Sequence, residues 1–243
     1  MKRRLIAVVF GLLSGAGFSQ GTDYSDPEGA YPVQLALFPP VQLVPSQEDV
    51  VGFRLNLIGV NRNVSALDLG LVNWTTGEFR GVGAGIINVV RGNSYEAAIG
   101  FFNYTEGDMT GFQGIPFLTF WNAFNLVDGR VGGVQGGLFN QEQELCGAQV
   151  GLVNIGYQAA GLQLGIYNYS IEDGGVQAGF INVGYESAHG VQVGLLNQTA
   201  QFSGLQIGLV NRTDSLRGMQ IGLLNIVSEK EVWPVAPLVN WVF

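Results

Sequence analysis

The chain has 243 residues and a formal net charge of −8, and only 12% of its residues are charged, about half the usual share of about 25%. An acidic chain without a basic stripe is a poor partner for nucleic acid, and a single cysteine, Cys146, excludes an internal disulfide framework. With one histidine, His189, the sequence offers neither a usual zinc set nor a nucleophile beside a base, so no catalytic residue, metal or cofactor is expected and an enzyme is not.

The first elements in chain order are a basic start (Lys2, Arg3, Arg4), an apolar run from Leu5 to Leu13, and small residues (Ser14, Gly15, Ala16, Gly17, Ser19). That order predicts a secretory signal peptide over residues 1–19, leaving 20–243 as a single repeat-built β domain and placing the protein at the outer membrane or cell surface. The apolar run is shorter than the about 20 residues of a membrane-spanning helix. Next come YPVQLALF (31–38), FRLNLIGVN (53–61), ALDLGLVN (66–73), GVGAGIIN (81–88), EAAIGFFN (96–103) and IPFLTFWN (115–122). Seven copies of one phrase follow: GVQGGLFN (133–140), GAQVGLVN (147–154), GLQLGIYN (161–168), GVQAGFIN (175–182), GVQVGLLN (190–197), GLQIGLVN (204–211) and GMQIGLLN (218–225). Within these copies the closing Asn recurs every 14 or 15 residues, the mark of an array of one small unit. With the C-terminal WPVAPLVN (233–240), fourteen strand candidates are counted.

Alternation puts Leu205, Ile207 and Leu209 on one face of the unit and Gly204, Gln206 and Gly208 on the other, which reads as a strand with one aliphatic and one small, polar face. Segments such as QEQELC (141–146), YSIEDG (169–174), QTAQFS (198–203) and RTDSLR (212–217) read as turns and carry most of the charge. Asn73, Asn103, Asn168, Asn197 and Asn211 each open an N-x-S/T triplet at a repeat end, where turn hydrogen bonding accounts for them better than glycosylation.

Gln192-x-Gly194-x-x-Asn197 resembles the Q-x-G-x-x-N core of the curli amyloid subunits. Over almost the whole length after the leader, the doubled Pro32-Val33-Gln34-Leu35 and Pro40-Val41-Gln42-Leu43, FRLNLIGVN, LDLGLVN, the tandem G-x-Q-x-G-L-x-N units and the final P-L-V-N-W-x-F together resemble the bacterial surface-repeat proteins of Gram-negative lineages. Val239, Trp241 and Phe243, at two-residue spacing, are similar to the C-terminal assembly signal of outer-membrane β-barrels. These resemblances imply a surface or outer-membrane address, with the lipid bilayer and outer-membrane assembly machinery as partners, and no reaction.

Two all-β architectures use one strand per repeat. A β-solenoid with 14-residue coils would stack the Gln and Asn residues into ladders. Against it, six linking residues barely span the roughly 23 Å back to the start of an eight-residue strand, and the linkers share no inward pattern. An antiparallel up-and-down β-barrel of about 14 short strands suits the uncharged aliphatic face, the strand length and the aromatics near the closing Asn (Trp74, Phe101, Phe102, Tyr104, Trp121, Phe139, Tyr167, Tyr169, Trp241). The barrel is the expected fold. It would turn Gln135, Gln149, Gln163, Gln177, Gln192, Gln206, Gln220, Arg54, Asp68 and Glu96 toward a lumen and set Asn197 and Asn211 at opposite ends of their strands. The expected function is then a passive pore or small-solute channel; the alternative is a non-enzymatic structural or adhesive surface protein built as a solenoid.

Overall fold

The computed structural model describes residues 29–114 and 122–242. The leader, Phe243 and most of the strand expected over 115–122 lie outside them. The described chain is all strand and turn: β1 (Tyr31–Phe38), β2 (Val41–Gln42), β3 (Val50–Asn61), β4 (Val64–Thr75), β5 (Phe79–Val90), β6 (Ser94–Thr105), β7 (Met109–Gln113), β8 (Phe124–Val127), β9 (Arg130–Val131), β10 (Val134–Leu145), β11 (Ala148–Ala159), β12 (Leu162–Asp173), β13 (Val176–Val227) and β14 (Val235–Val242).

Neighbouring strands from β3 to β13 pair in parallel, residue over equivalent residue: Gln135 over Gln149, Gln149 over Gln163, Asn154 over Asn168, Asn168 over Asn182. The fold is therefore a β-solenoid of about ten turns and not the expected antiparallel barrel. The long β13 holds several successive coils in one continuous run.

The objection to a solenoid fails because the strand bends. In Leu205–Leu216 the interior residues are Gln206, Asn211, Thr213 and Leu216, with Gly208 half-buried between Gln206 and Asn211. Two successive residues turn outward at Leu209–Val210 and again at Asp214–Ser215. Each break in alternation is a corner, so the linker RTDSLR is itself a pleated side wall and no straight 23 Å span has to be crossed. Its inward column takes whatever fits: Glu142, Gly156, Ser170, Gly184, Thr199 and Thr213 occupy equivalent places in successive coils. This is why the linkers share no pattern.

A mostly apolar column closes the coils, with Ser94 and Asp173 the polar residues in it. Val50, Val64, Phe79, Met109, Val131, Leu145, Ala159, Ala188, Phe202 and Leu216 are all buried, most of them in three clusters along the axis. The coil between β6 and β10 is built from the three short strands β7, β8 and β9.

The two ends differ from the interior. At the C-terminal end β14 runs antiparallel against the last coil, with Gln220 opposite Asn240 and Met219 opposite Trp241. Reversal places Asn240 at the Gln position instead of the Asn position. Val239 and Trp241 consequently face outward with Ile221 and Met219. At the other end β1 joins in parallel and folds back into β2.

Candidate functional site

Two features run the length of the molecule: an amide spine inside and an uncharged apolar wall outside. The closing Asn of most phrases is buried and donates through Nδ2 to Oδ1 of the next, with Asn56 and Asn125 standing in the spine in place of the closing Asn61 and Asn122. The chain of bonds passes from Asn56 through Asn73, Asn88, Asn103, Asn125, Asn140, Asn154, Asn168, Asn182, Asn197 and Asn211 to Asn225, at 2.7–3.1 Å. In many coils the second Nδ2 proton goes to a main-chain carbonyl one coil on, as from Asn197 to Ile207 at 2.9 Å. The triplet asparagines therefore bond along the axis, not within turns.

The phrase glycines make room for this. A Cβ on Gly208 would lie 2.6 Å from the Gly194 oxygen, 2.7 Å from Asn197 Nδ2 and 2.9 Å from Asn211 Oδ1. The exchange is reciprocal in β3, where Gly59 stands at the Asn position and the Asn56 side chain fills the space a Cβ there would need. The opening glycines serve the corner: Gly190, Gly204 and Gly218 have φ of +124°, +141° and +137°, a region that side chains rarely enter.

The seven expected glutamines form a second ladder. Gln149 donates to Gln135 at 3.0 Å, Gln163 to Gln149 at 3.1 Å, Gln177 to Gln163 at 2.8 Å, Gln192 to Gln177 at 2.9 Å, Gln206 to Gln192 at 2.7 Å and Gln220 to Gln206 at 2.8 Å. All are buried. They fill a closed interior where the barrel reading placed a wet lumen, so the pore has no channel to run through. Upstream the same column reads Gln34, Arg54, Asp68, Gly83, Ala98 and Gln113. Arg54 grips Asp68 with two guanidinium nitrogens, and both are fully desolvated. Beside the small Gly83 and Ala98, Glu96 enters from the column of opening glycines and accepts from Gln113 at 2.7 Å. The 14-residue gap from Arg54 to Asp68 is one period, so opposite charges in successive coils were a legible sign of parallel stacking.

Three buried carboxyls have no cation. Burial raises Glu96 to about 7, opposed by the bond from Gln113 and helped by the charge of Asp68. Burial also lifts Glu142 to about 8 against the bond from Gln149, and Asp173 to about 7 against the Gly175 N–H. Each fits because its neighbours are small: Glu142 lies over Gly156, and Asp173 sits between Ala159 and Ala188. The adjacent acids point the other way. Glu144 pairs with Arg130 at the surface and Glu172 accepts from Gln158, so neither acidic pair converges on one point. His189 and Cys146 are exposed in different coils. Among the described residues no three His, Cys, Asp or Glu side chains gather as metal ligands.

Outside, the second, fourth and sixth positions of the phrase make three columns with no charged or polar residue among the described residues, interrupted between Gly114 and Asn122, where Ala123 in the sixth column is buried. Leu57, Leu71, Ile86, Phe101, Leu152, Ile166, Phe180, Leu195, Leu209 and Leu223 stand 45–66% exposed along the sixth column. Near the corner Phe124 contacts Phe101, Phe102 and Phe139, with ring centroids 6.0–6.5 Å apart, so these aromatics pack locally instead of forming the girdle of a barrel. The architecture is that of a capped, amide-laddered parallel β-solenoid. No known family, curated protein or solved structure matches the chain.

Proposed function

We propose that the protein is a non-enzymatic structural or adhesive β-solenoid of the bacterial cell surface, exported by its leader. The observation that carries this reading is the unbroken amide spine: from Asn56 to Asn225 the interior asparagines bond to one another, and the outward side chains repeat at the strand spacing of about 4.8 Å. A rigid rod with periodic walls suits repeated weak contacts better than capture of one small substrate. The likeness of the tandem units to bacterial surface-repeat proteins supports the same address. The test is fractionation of the native host with labelling of intact cells by a membrane-impermeant amine reagent. Recovery in the envelope with labelled lysine is expected; recovery in the cytosol, unlabelled, would overturn the reading.

A further inference from the structure

On the wall that follows the closing Asn, β13 forms a cleft of about 170 Å³ bordered by Tyr185, Gln198, Ala200, Arg212 and Asp214. Its shape comes from the stacking. Asn182 bonds to Asn197 and Asn197 to Asn211, so the residues after each Asn stand in successive rows about 4.8 Å apart. Tyr185 belongs to the first row, Ala200 to the second and Asp214 to the third. The small Ala200 is therefore a floor between two taller side chains about 9.6 Å apart. The Thr213 hydroxyl fixes that floor by donating to the Ala200 carbonyl at 3.0 Å. Gln198 and Arg212, which directly follow Asn197 and Asn211, border the notch on one side. The lining is chemically mixed and unspent. Tyr185 is 63% exposed, and the side chains of Gln198, Arg212 and Asp214 bond to no other described residue. Arg212 and Asp214 do not pair with each other, although they are two residues apart on one strand face. The cleft thus offers an aromatic ring, a carboxylate acceptor, a guanidinium donor and an amide that does both, with no net charge.

We propose that this cleft binds one hexopyranose ring, its C–H face against Tyr185 and its hydroxyls bonded by Gln198, Arg212 and Asp214. A hydroxyl is donor and acceptor at once, so it uses both kinds of partner that the lining supplies. A sugar ring also has an apolar face for an aromatic side chain to cover. The volume is about that of six waters, short of the roughly 300–1,000 Å³ of a drug-sized site and enough for a single ring. A zwitterion such as glycine would engage Arg212 and Asp214 but leave Tyr185 and Gln198 idle. A shallow site for so small a ligand implies a dissociation constant on the order of millimolar. One weak contact of this kind extends the adhesive reading, but ring binding is measured on purified protein, and its failure leaves the cell-surface address untouched.

Saturation-transfer NMR of the purified full chain with the methyl pyranosides of glucose, galactose and mannose should show transfer to the ring protons of at least one of them. Tyr185→Ala and Asp214→Ala should each weaken binding of that glycoside at least about fivefold. Arg212→Lys, which keeps the charge and loses the planar fork, should weaken it as well. Tyr157→Ala, at an exposed tyrosine outside the cleft, should leave it unchanged. Circular dichroism of each variant reports whether it has folded. A disaccharide ending in the same ring that binds as well as the glycoside identifies the end of a glycan as the source of the ring; a disaccharide that fails where the glycoside binds identifies a free sugar. No transfer to any of the three glycosides at tens of millimolar, transfer undiminished in the folded cleft variants, or displacement of the glycoside by an equal concentration of glycine would each overturn the proposal.

Discussion

Each buried amide in the interior of the spine, from Asn73 to Asn211, is both donor and acceptor, so removing one strands two neighbours. Asn197→Ala takes the acceptor from Asn182 and the donor from Asn211 and the Ile207 carbonyl. At about 1–3 kcal/mol for each buried group left unpaired, urea unfolding should show a loss of several kcal/mol. Gly208→Ala should be comparably damaging, because its methyl meets main chain and two spine amides inside 3 Å, whereas Gly174→Ala, whose nearest neighbours lie at 3.7 Å, should be near neutral. The three unpaired carboxyls set the pH dependence. Their folded pKa values of about 7 to 8 lie above the ordinary 3.8 to 4.5, so the native state holds protons the unfolded chain releases. The stability they confer is complete below about pH 4 and falls as pH rises through 7 to 8. A tenfold difference in proton affinity between the folded and unfolded chain is worth about 1.4 kcal/mol. Thermal unfolding from pH 4 to pH 9 should show melting temperature falling across that window, and Glu142→Gln should flatten the fall at its alkaline end.

At the scale of elements, the strand that matters most is the one that breaks the pattern. β14 reverses direction, pairs with Gly218–Ile226 and carries Pro237, which cannot donate to a further strand. Lys230 ties it down through Asn240 and the Trp241 carbonyl. It ends the ladder: Gln220 Oε1 and Asn240 Nδ2 have no partner among the described residues. Deleting residues 235–243 should bare a flat edge that offers both ladders and every main-chain group of the last coil to another chain. The truncated protein should form seeded fibres that bind thioflavin, and the intact chain should not. Equal fibre formation by both would remove β14 from the role of cap.

For the whole molecule, a linear array gains its stability from neighbour contacts and not from one central core. The weak coil is the one assembled from β7, β8 and β9, where pairing is shared among three short pieces. Amide exchange should be slowest across β11, β12 and the first coils of β13, and measurably faster in β7, β8 and β9. Uniform protection along the axis would mean that the array opens only as one unit.

Several properties were written in the sequence. The period of 14 or 15, the strand with Gln and Gly on one side and aliphatics on the other, and the scatter of the chemistry-bearing residues all follow from spacing and side-chain type. These are local properties, and they are the same whether the next strand runs up or down. Apart from the one-period gap between Arg54 and Asp68, nothing local carries direction; it was decided in three dimensions, where two outward residues in a row, such as Leu209–Val210, turn the chain at a corner and bring Asn211 beneath Asn197. A strand that bends sends its linker back along another wall, so residues one period apart meet and each amide finds its own kind. The barrel and its lumen came from taking that strand as straight; the corner makes the same glutamines a spine.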